Sequence, residues 1–374
     1  MKSILASIVV LAFMLAMPIY AGETDAAAVT AAAKKAVEFI IAQQNDDGTF
    51  GKSKGAAMPG MVGLALKAMA SSPAQLRDNH PAVAKAVKYL LAKQMASGAI
   101  ALPDMGMENY NTSVVVIALA ALENPAHKNV IEKAKNYILS CQLVEECGFN
   151  KDEHNLAYGA FGYGNSKKGD ASNTGFSLEA LKAAGLSPDS PAWKNAVLFL
   201  KRCQENDETN DVPVMKGGDN GGGFVYLPGV SEFGNYKAKS GKMLPKPYGN
   251  MTYQAVKGLI FAGVDKDDPS LQAAFNWIKN NYSVKENPGG VGTQGYYYYV
   301  IAFAKAFTAM GIKELELADG KKVNWAKDLA THLISLQKPD GSFVNPDKRW
   351  MENETLLATA YTLDTLNLCI AAMK

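Results

Sequence analysis

Apolar positions along the chain recur with helical spacing, and the apolar segments come in pairs. The first member of each pair ends in an aromatic residue, an aliphatic residue, three further residues and a glutamine. This order occurs at Phe39-Ile40…Gln44, Tyr89-Leu90…Gln94, Tyr137-Ile138…Gln142 and Phe199-Leu200…Gln204. His332-Leu333…Gln337 is a looser copy, and Trp277-Ile278…Tyr282 keeps the register with tyrosine in place of glutamine. Three residues before the aromatic stands alanine in five of the six copies (Ala36, Ala86, Ala134, Ala196, Ala274). That spacing puts a small and a large residue on one helix face. The second member of each pair, over 59–70, 112–122, 174–184, 252–262, 295–310 and 355–373, is apolar over most of its surface, as in SVVVIALAAL. Such a helix is buried on most sides, whereas the first, amphipathic helix is buried on one.

The pattern predicts an all-α chain of six helical hairpins, each an outer helix, a turn and an inner helix. The chain offers no polar terminal caps, so a closed α/α toroid, an (α/α)6 barrel, is expected over an open solenoid. The turns carry their own signature. Gln44, Asp47, Gly48 and Phe50 share their spacing with Gln337, Asp340, Gly341 and Phe343. The glutamine amide is expected to reach backbone groups at helix ends, Asp-Gly to form a tight turn, and the phenylalanine to pack that turn on the barrel. Asn111-Thr112, Ser172-Asn173-Thr174, Asn250-Met251-Thr252 and Asn353-Glu354-Thr355 are expected to cap inner helices.

Composition narrows the function classes. A formal charge of +2 over 374 residues gives no electrostatic footprint for nucleic acid. Residues 1–21, with Lys2, an apolar stretch from Ile4 to Met17 and Ala21, read as an export signal, so a periplasmic or extracellular location is expected. Residues 22–374 are expected to form a single toroid domain without stable membrane insertion after cleavage. Cys141, Cys147, Cys203 and Cys369 could be oxidised in such a compartment or serve as small buried side chains.

The six hairpins and the two Gln-x-x-Asp-Gly-x-Phe turns resemble the repeats of the squalene cyclase and protein prenyltransferase superfamily. YGNMTYQAVKGLIFAGVDKDDP, ENPGGVGTQGYYYYVIAFAKA and the stretch 337–366 look like exported bacterial prenyltransferase/squalene-oxidase-repeat proteins. The resemblance implies a toroid with an axial cavity; it does not carry an activity with it. Asp265-Lys266-Asp267-Asp268 matches the acid motif of class II cyclases, yet it stands between Gly263 and Pro269, as a turn and helix cap would. The zinc motif of prenyltransferases is missing, and His80, His127, His154 and His332 are scattered. Neither a metal nor a cofactor is expected. The glycine-rich 216–229 lacks the ending of a phosphate loop.

Candidate site residues follow from the inner helix starts, which should ring one mouth. Tyr296 to Tyr299 spread around a helix at about 100° each, so two should face the cavity, taken as Tyr297 and Tyr298. Tyr248, Tyr253, Asn173, Trp350 and Tyr361 are expected beside them. Glu354 and Asp170 are the candidate catalytic carboxylates, a pair of which could serve glycoside hydrolysis or a lyase step. The insertion 205–250 would form a lid over one mouth or a surface loop. Three functions remain open: a binder of a small-molecule, lipid or glycan ligand, or of a partner, in the axial cavity; an enzyme of terpenoid cyclase-like or carbohydrate-active type; and an interaction scaffold.

Overall fold

A computed structural model describes residues 25–52, 58–103, 106–152, 155–164, 166–290 and 292–374; residues 1–21, read above as an export signal, and His154 lie outside them. The outer helices are α1 (Ala26–Ala42), α3 (Pro81–Leu91), α5 (Lys128–Ser140), α7 (Pro191–Arg202), α9 (Pro269–Asn280) and α11 (Trp325–Leu336). The inner helices are α2 (Pro59–Ala70), α4 (Glu108–Ala121), α6 (Ala171–Ala183), α8 (Gly249–Phe261), α10 (Tyr296–Met310) and α12 (Thr355–Ala372). Each inner helix packs on the next, and α12 packs on α2, so the ring is closed. Two short hairpins interrupt it: β1 (Asn235–Lys237) with β2 (Met243–Pro245), and β3 (Glu314–Glu316) with β4 (Lys322–Asn324).

The outer helices form where the sequence stops and starts them. His80, Ser190 and Asp268 cap α3, α7 and α9, and each is followed by a proline whose fixed φ suits the first turn. In α3 the buried face is Ala82, Val83, Ala86, Val87 and Leu90. The recurring glutamine joins one hairpin to the next. Gln44 Nε2 donates to the Ala82 carbonyl at 2.7 Å, Gln94 to Val130 at 3.1 Å, Gln142 to Ala192 at 2.9 Å and Gln204 to Ser270 at 2.8 Å. Every acceptor lies in the first turn of the following outer helix. Gln337 donates to Ala32 at 2.9 Å and closes the circle. In the fifth hairpin the Tyr282 hydroxyl donates to Asp328 on α11 at 3.2 Å, which explains the tyrosine at that place.

The turn glycines are set by the same junction. Gly48 and Gly341 have φ of 91° and 87°, and a Cβ on either would collide with the carbonyl of Lys85 or Lys35 on the neighbouring outer helix. Phe50 and Phe343 are wholly buried. The expected capping role of the Asn/Thr clusters is corrected. Helices α4, α6 and α8 begin about one turn earlier, which places Thr112, Thr174 and Thr252 inside them. Their hydroxyls instead accept from the amides of Ile100, Phe161 and Phe224 at 2.9, 3.0 and 3.0 Å, as Thr359 does from Phe343 at 3.0 Å. The threonines fasten turn to inner helix. All four cysteines are free thiols.

Candidate functional site

The inner helices present one stripe each to the axis, at helical spacing: Met61, Leu64 and Lys67 from α2; Tyr110, Val114 and Ile117 from α4; Ser172, Phe176 and Glu179 from α6; Met251, Gln254 and Lys257 from α8; Tyr298, Ala302 and Lys305 from α10; Leu357, Tyr361 and Asp364 from α12. The upper part of this channel is a cavity of about 300 Å³. Met58, Met61, Met107, Met251 and Met351 line it together with the rings of Tyr110, Tyr163, Phe176, Tyr226, Tyr248, Tyr298, Trp350 and Tyr361. Methionine is flexible and polarizable, so such a wall adapts to irregular apolar shapes.

Three rings make the neck at the bottom of the cavity. Phe176 stacks on Tyr298 with centroids 5.9 Å apart, and Tyr298 lies 6.0 Å from Tyr361. Tyr298 is oriented by its hydroxyl, which meets Ser172 Oγ at 2.7 Å and receives a bond from Gln254 Nε2 at 2.6 Å.

The insertion reaches the mouth with Tyr226 and Glu232. Glu232 pairs with Arg349 at 2.7 Å, and the Arg349 guanidinium lies over Trp350 (4.4 Å) and Phe233 (5.2 Å). Trp350 and Met351 both have left-handed backbones, with φ of 53° and 63°. Such a pair of non-glycine residues stores strain and occurs where a site demands it. The turn they make aims Glu352 inward.

Glu352, not Glu354, is the buried carboxylate at the cavity wall. Its Oε1 accepts from the Tyr298 amide at 2.8 Å and its Oε2 from Asn345 Nδ2 at 2.7 Å, so it closes the exposed start of α10. Burial raises its pKa, and these bonds oppose the rise. Glu354 stands half-buried two residues further on, immediately before α12, and is absent from the lining. Asp170 caps α6 through the Asn173 amide at 2.7 Å and receives the hydroxyls of Tyr163 and Tyr226 at 2.6 Å each. Burial raises its pKa against those bonds, and it meets the cavity only through the two tyrosines.

Of the other expected residues, Tyr248, Tyr298, Trp350 and Tyr361 line the cavity. Tyr253, Tyr297 and Asn173 do not. Tyr253 is packed among Tyr299, Phe303 and Phe307. Tyr297 turns outward toward the Val344 carbonyl, 3.4 Å away, and Asn173 holds the Phe161 and Gly162 carbonyls at 2.9 and 2.8 Å. Asp265 to Asp268 form the turn before α9, with Asp268 as its cap and the partner of Lys201 at 2.8 Å.

Sequence reasoning missed the floor. Lys67, Glu179, Lys257, Lys305 and Asp364 meet below the neck, with Lys257 and Lys305 both 2.6 Å from Glu179 and Lys67 paired with Asp364. Burial alone would raise the Glu179 pKa, but the two lysines hold it well below the carboxylate range. Burial pushes Lys257 down to about 8, with Glu179 opposing. For Lys305 the two carboxylates outweigh burial and raise it.

The geometry defines a closed α/α toroid with an axial cavity, and the comparisons agree. Residues 60–227 match the squalene-hopene cyclase C-terminal domain, and residues 3–101 match the prenyltransferase alpha-alpha toroid domain. The stretch 3–227 is thus similar to the repeats of these two families, and the fold is that of the alpha-alpha toroid. No curated protein sequence matches it significantly. Among solved structures it is similar to the GH76A alpha-1,6-mannanase from Salegentibacter sp. HEL1_6, at 11% identity over 92% of this chain and 100% of that one, with TM-score 0.58. It is also similar to a variant of the type II terpene cyclase MstE from Scytonema in complex with geranylgeranyl dihydroxybenzoate, at 12% identity over 93% and 98%, with TM-score 0.53. A possible member of the GH105 family from Salmonella enterica follows, at 9% identity over 98% and 99%, with TM-score 0.53. Likeness at these identities shows the fold alone.

Proposed function

We propose that the protein binds a compact apolar ligand, of isoprenoid or similar lipid chemistry, in the upper axial cavity. The fold hosts both terpene cyclases and glycoside hydrolases, so the choice rests on the site. The observation that carries the reading is the wall of five methionines and eight aromatic rings around about 300 Å³. That volume is at the lower end for a small-molecule site, roughly 300–1,000 Å³. A glycan would need free polar groups along the wall, whereas Glu352 and Asp170 already accept bonds from Asn345, backbone amides and two tyrosines. Export, expected from residues 1–21, would place the encounter with this ligand outside the cytoplasm.

The test is displacement of a bound apolar fluorophore, N-phenyl-1-naphthylamine, by farnesol or by mannotriose. Farnesol is expected to displace it and mannotriose to leave it in place. Met251→Trp, which fills the cavity, should weaken fluorophore and farnesol binding at least tenfold with little change in melting temperature. Displacement by the sugar alone would overturn the reading. Mass spectrometry of the recovered farnesol should show it unchanged; a new product would make the protein an enzyme acting on that ligand.

A further inference from the structure

The floor of the channel carries an unanswered charge. Its five ionic side chains come from five of the six inner helices and line one void of about 20 Å³. They form an alternating chain: Lys67, Asp364, Lys305, Glu179, Lys257. Asp364 bridges Lys67 and Lys305, the latter at 3.7 Å, and Glu179 bridges Lys305 and Lys257. Among the described residues, three cations therefore face two anions. The two end lysines each have one carboxylate and stand on α2 and α8, opposite members of the ring. Helix α4 faces the void with Val114 and Ile117, so it supplies no third acid.

A second observation lies in the same void. Gln254 is buried; its Nε2 bonds Tyr298, and its Oε1 has no partner among the described residues. A half-turn of that amide keeps a bond to the Tyr298 hydroxyl and offers the void an N–H donor. A buried polar group without a partner costs about 1–3 kcal/mol in either orientation, and a buried unpaired ammonium costs more. The void, about 20 Å³, exceeds the roughly 10–15 Å³ that a single water molecule needs.

We propose that the floor is a binding site for one small monoanion, held by Lys67, Lys257 and the Gln254 amide. The anion is a free ion such as chloride or formate, or the carboxylate end of a ligand whose tail fills the upper cavity. The second form rests on the apolar-ligand reading; the first does not. Lys257 reports occupancy: an anion beside it raises the pH at which it loses its proton.

Two measurements at pH 7 and constant ionic strength decide it. Thermal unfolding is followed as gluconate, too large for the void, is replaced by chloride or formate. Calorimetry compares dodecanoic acid with dodecanol. The expected result is a saturable rise in melting temperature with the small anions, or a tenfold or greater preference for the acid. Lys257→Met should remove either effect. Ile117→Glu, which supplies a carboxylate from α4, should remove it too. Should Ile117→Glu fail to fold, Lys257→Met alone decides. An absence of both effects in the unsubstituted protein, or effects that persist in Lys257→Met, would overturn the site. Equal binding of acid and alcohol without any small-anion effect sinks the floor and keeps the apolar cavity. A small-anion effect with neither lipid bound does the reverse.

Discussion

At the level of Phe176 and Tyr298 the inner helices surround space with rings and methionines; about one to two turns further along, the same stripes surround almost none, with lysines and carboxylates. Phe176 and Glu179 are neighbours on α6, Tyr361 and Asp364 on α12, Leu64 and Lys67 on α2. The backbone is the same at both levels, so the side chains alone make one level a receptacle and the other a plug. An apolar wall tolerates being empty, because its cost is lost contact. A charged layer out of water tolerates no missing partner, because each ion has lost its hydration. Removal of one group should therefore be far more damaging below the neck than above it.

The largest expected effect tests that statement directly. Glu179→Gln leaves Lys257 without a carboxylate and Lys305 with Asp364 alone. It should cost about 3–5 kcal/mol in denaturant-induced unfolding, the range for breaking a buried pair. Phe176→Leu, one turn away on the same helix but facing open space, should cost about 1 kcal/mol, below the usual core truncation. Equal costs would abolish the distinction between receptacle and plug.

The next effect is in pH. Burial holds Lys257 at about 8 in the folded protein, against an ordinary value of 10.5. Between those values the unfolded chain holds a proton that the folded chain has released, so this residue makes stability rise with pH. From pH 8 to 9.5 the gain should be about 1.6 kcal/mol relative to Lys257→Met, because the slope reaches about 1.4 kcal/mol per unit only above the folded value. The groups facing the lysine are Glu179, Lys305, Asp364, Lys67, Tyr298 and Tyr361, while α4 brings only apolar side chains. A flat difference between the two proteins would mean that the plug stays fully protonated in that range.

The two levels also differ in how far the sequence displays them. The hairpins were legible because Phe39, Tyr89, Tyr137 and Phe199 recur with alanine and glutamine at fixed offsets, and ring closure followed from the absence of a polar end. The upper cavity was half legible: Tyr248, Tyr298, Trp350 and Tyr361 line it, but Glu354 was expected where Glu352 stands. The reason is the left-handed backbone at Trp350 and Met351, which no local pattern announces. Tyr253 and Tyr297 could not be separated from Tyr298 without the rotation of each helix. The floor had a signal that periodicity passes over. Lys67, Lys257 and Lys305 are each the sole charged residue of a buried inner helix, where a lone charge needs partners from distant segments.

The smallest effect belongs to the residue at the boundary. Tyr298 is part of the aromatic neck by its ring and part of the polar network by its hydroxyl. Tyr298→Phe keeps the ring and leaves Ser172 Oγ and Gln254 Nε2 without that hydroxyl. The loss should be about 1 kcal/mol, the net worth of a typical hydrogen bond. Farnesol affinity should stay within about twofold, because the apolar wall is unchanged. The small-anion response should shift as well, since the freed Gln254 amide can turn toward Ser172 or toward the void. A large fall in farnesol affinity with an unaltered anion response would assign the hydroxyl to ligand recognition in the receptacle, and the boundary between the two levels would then lie below Tyr298.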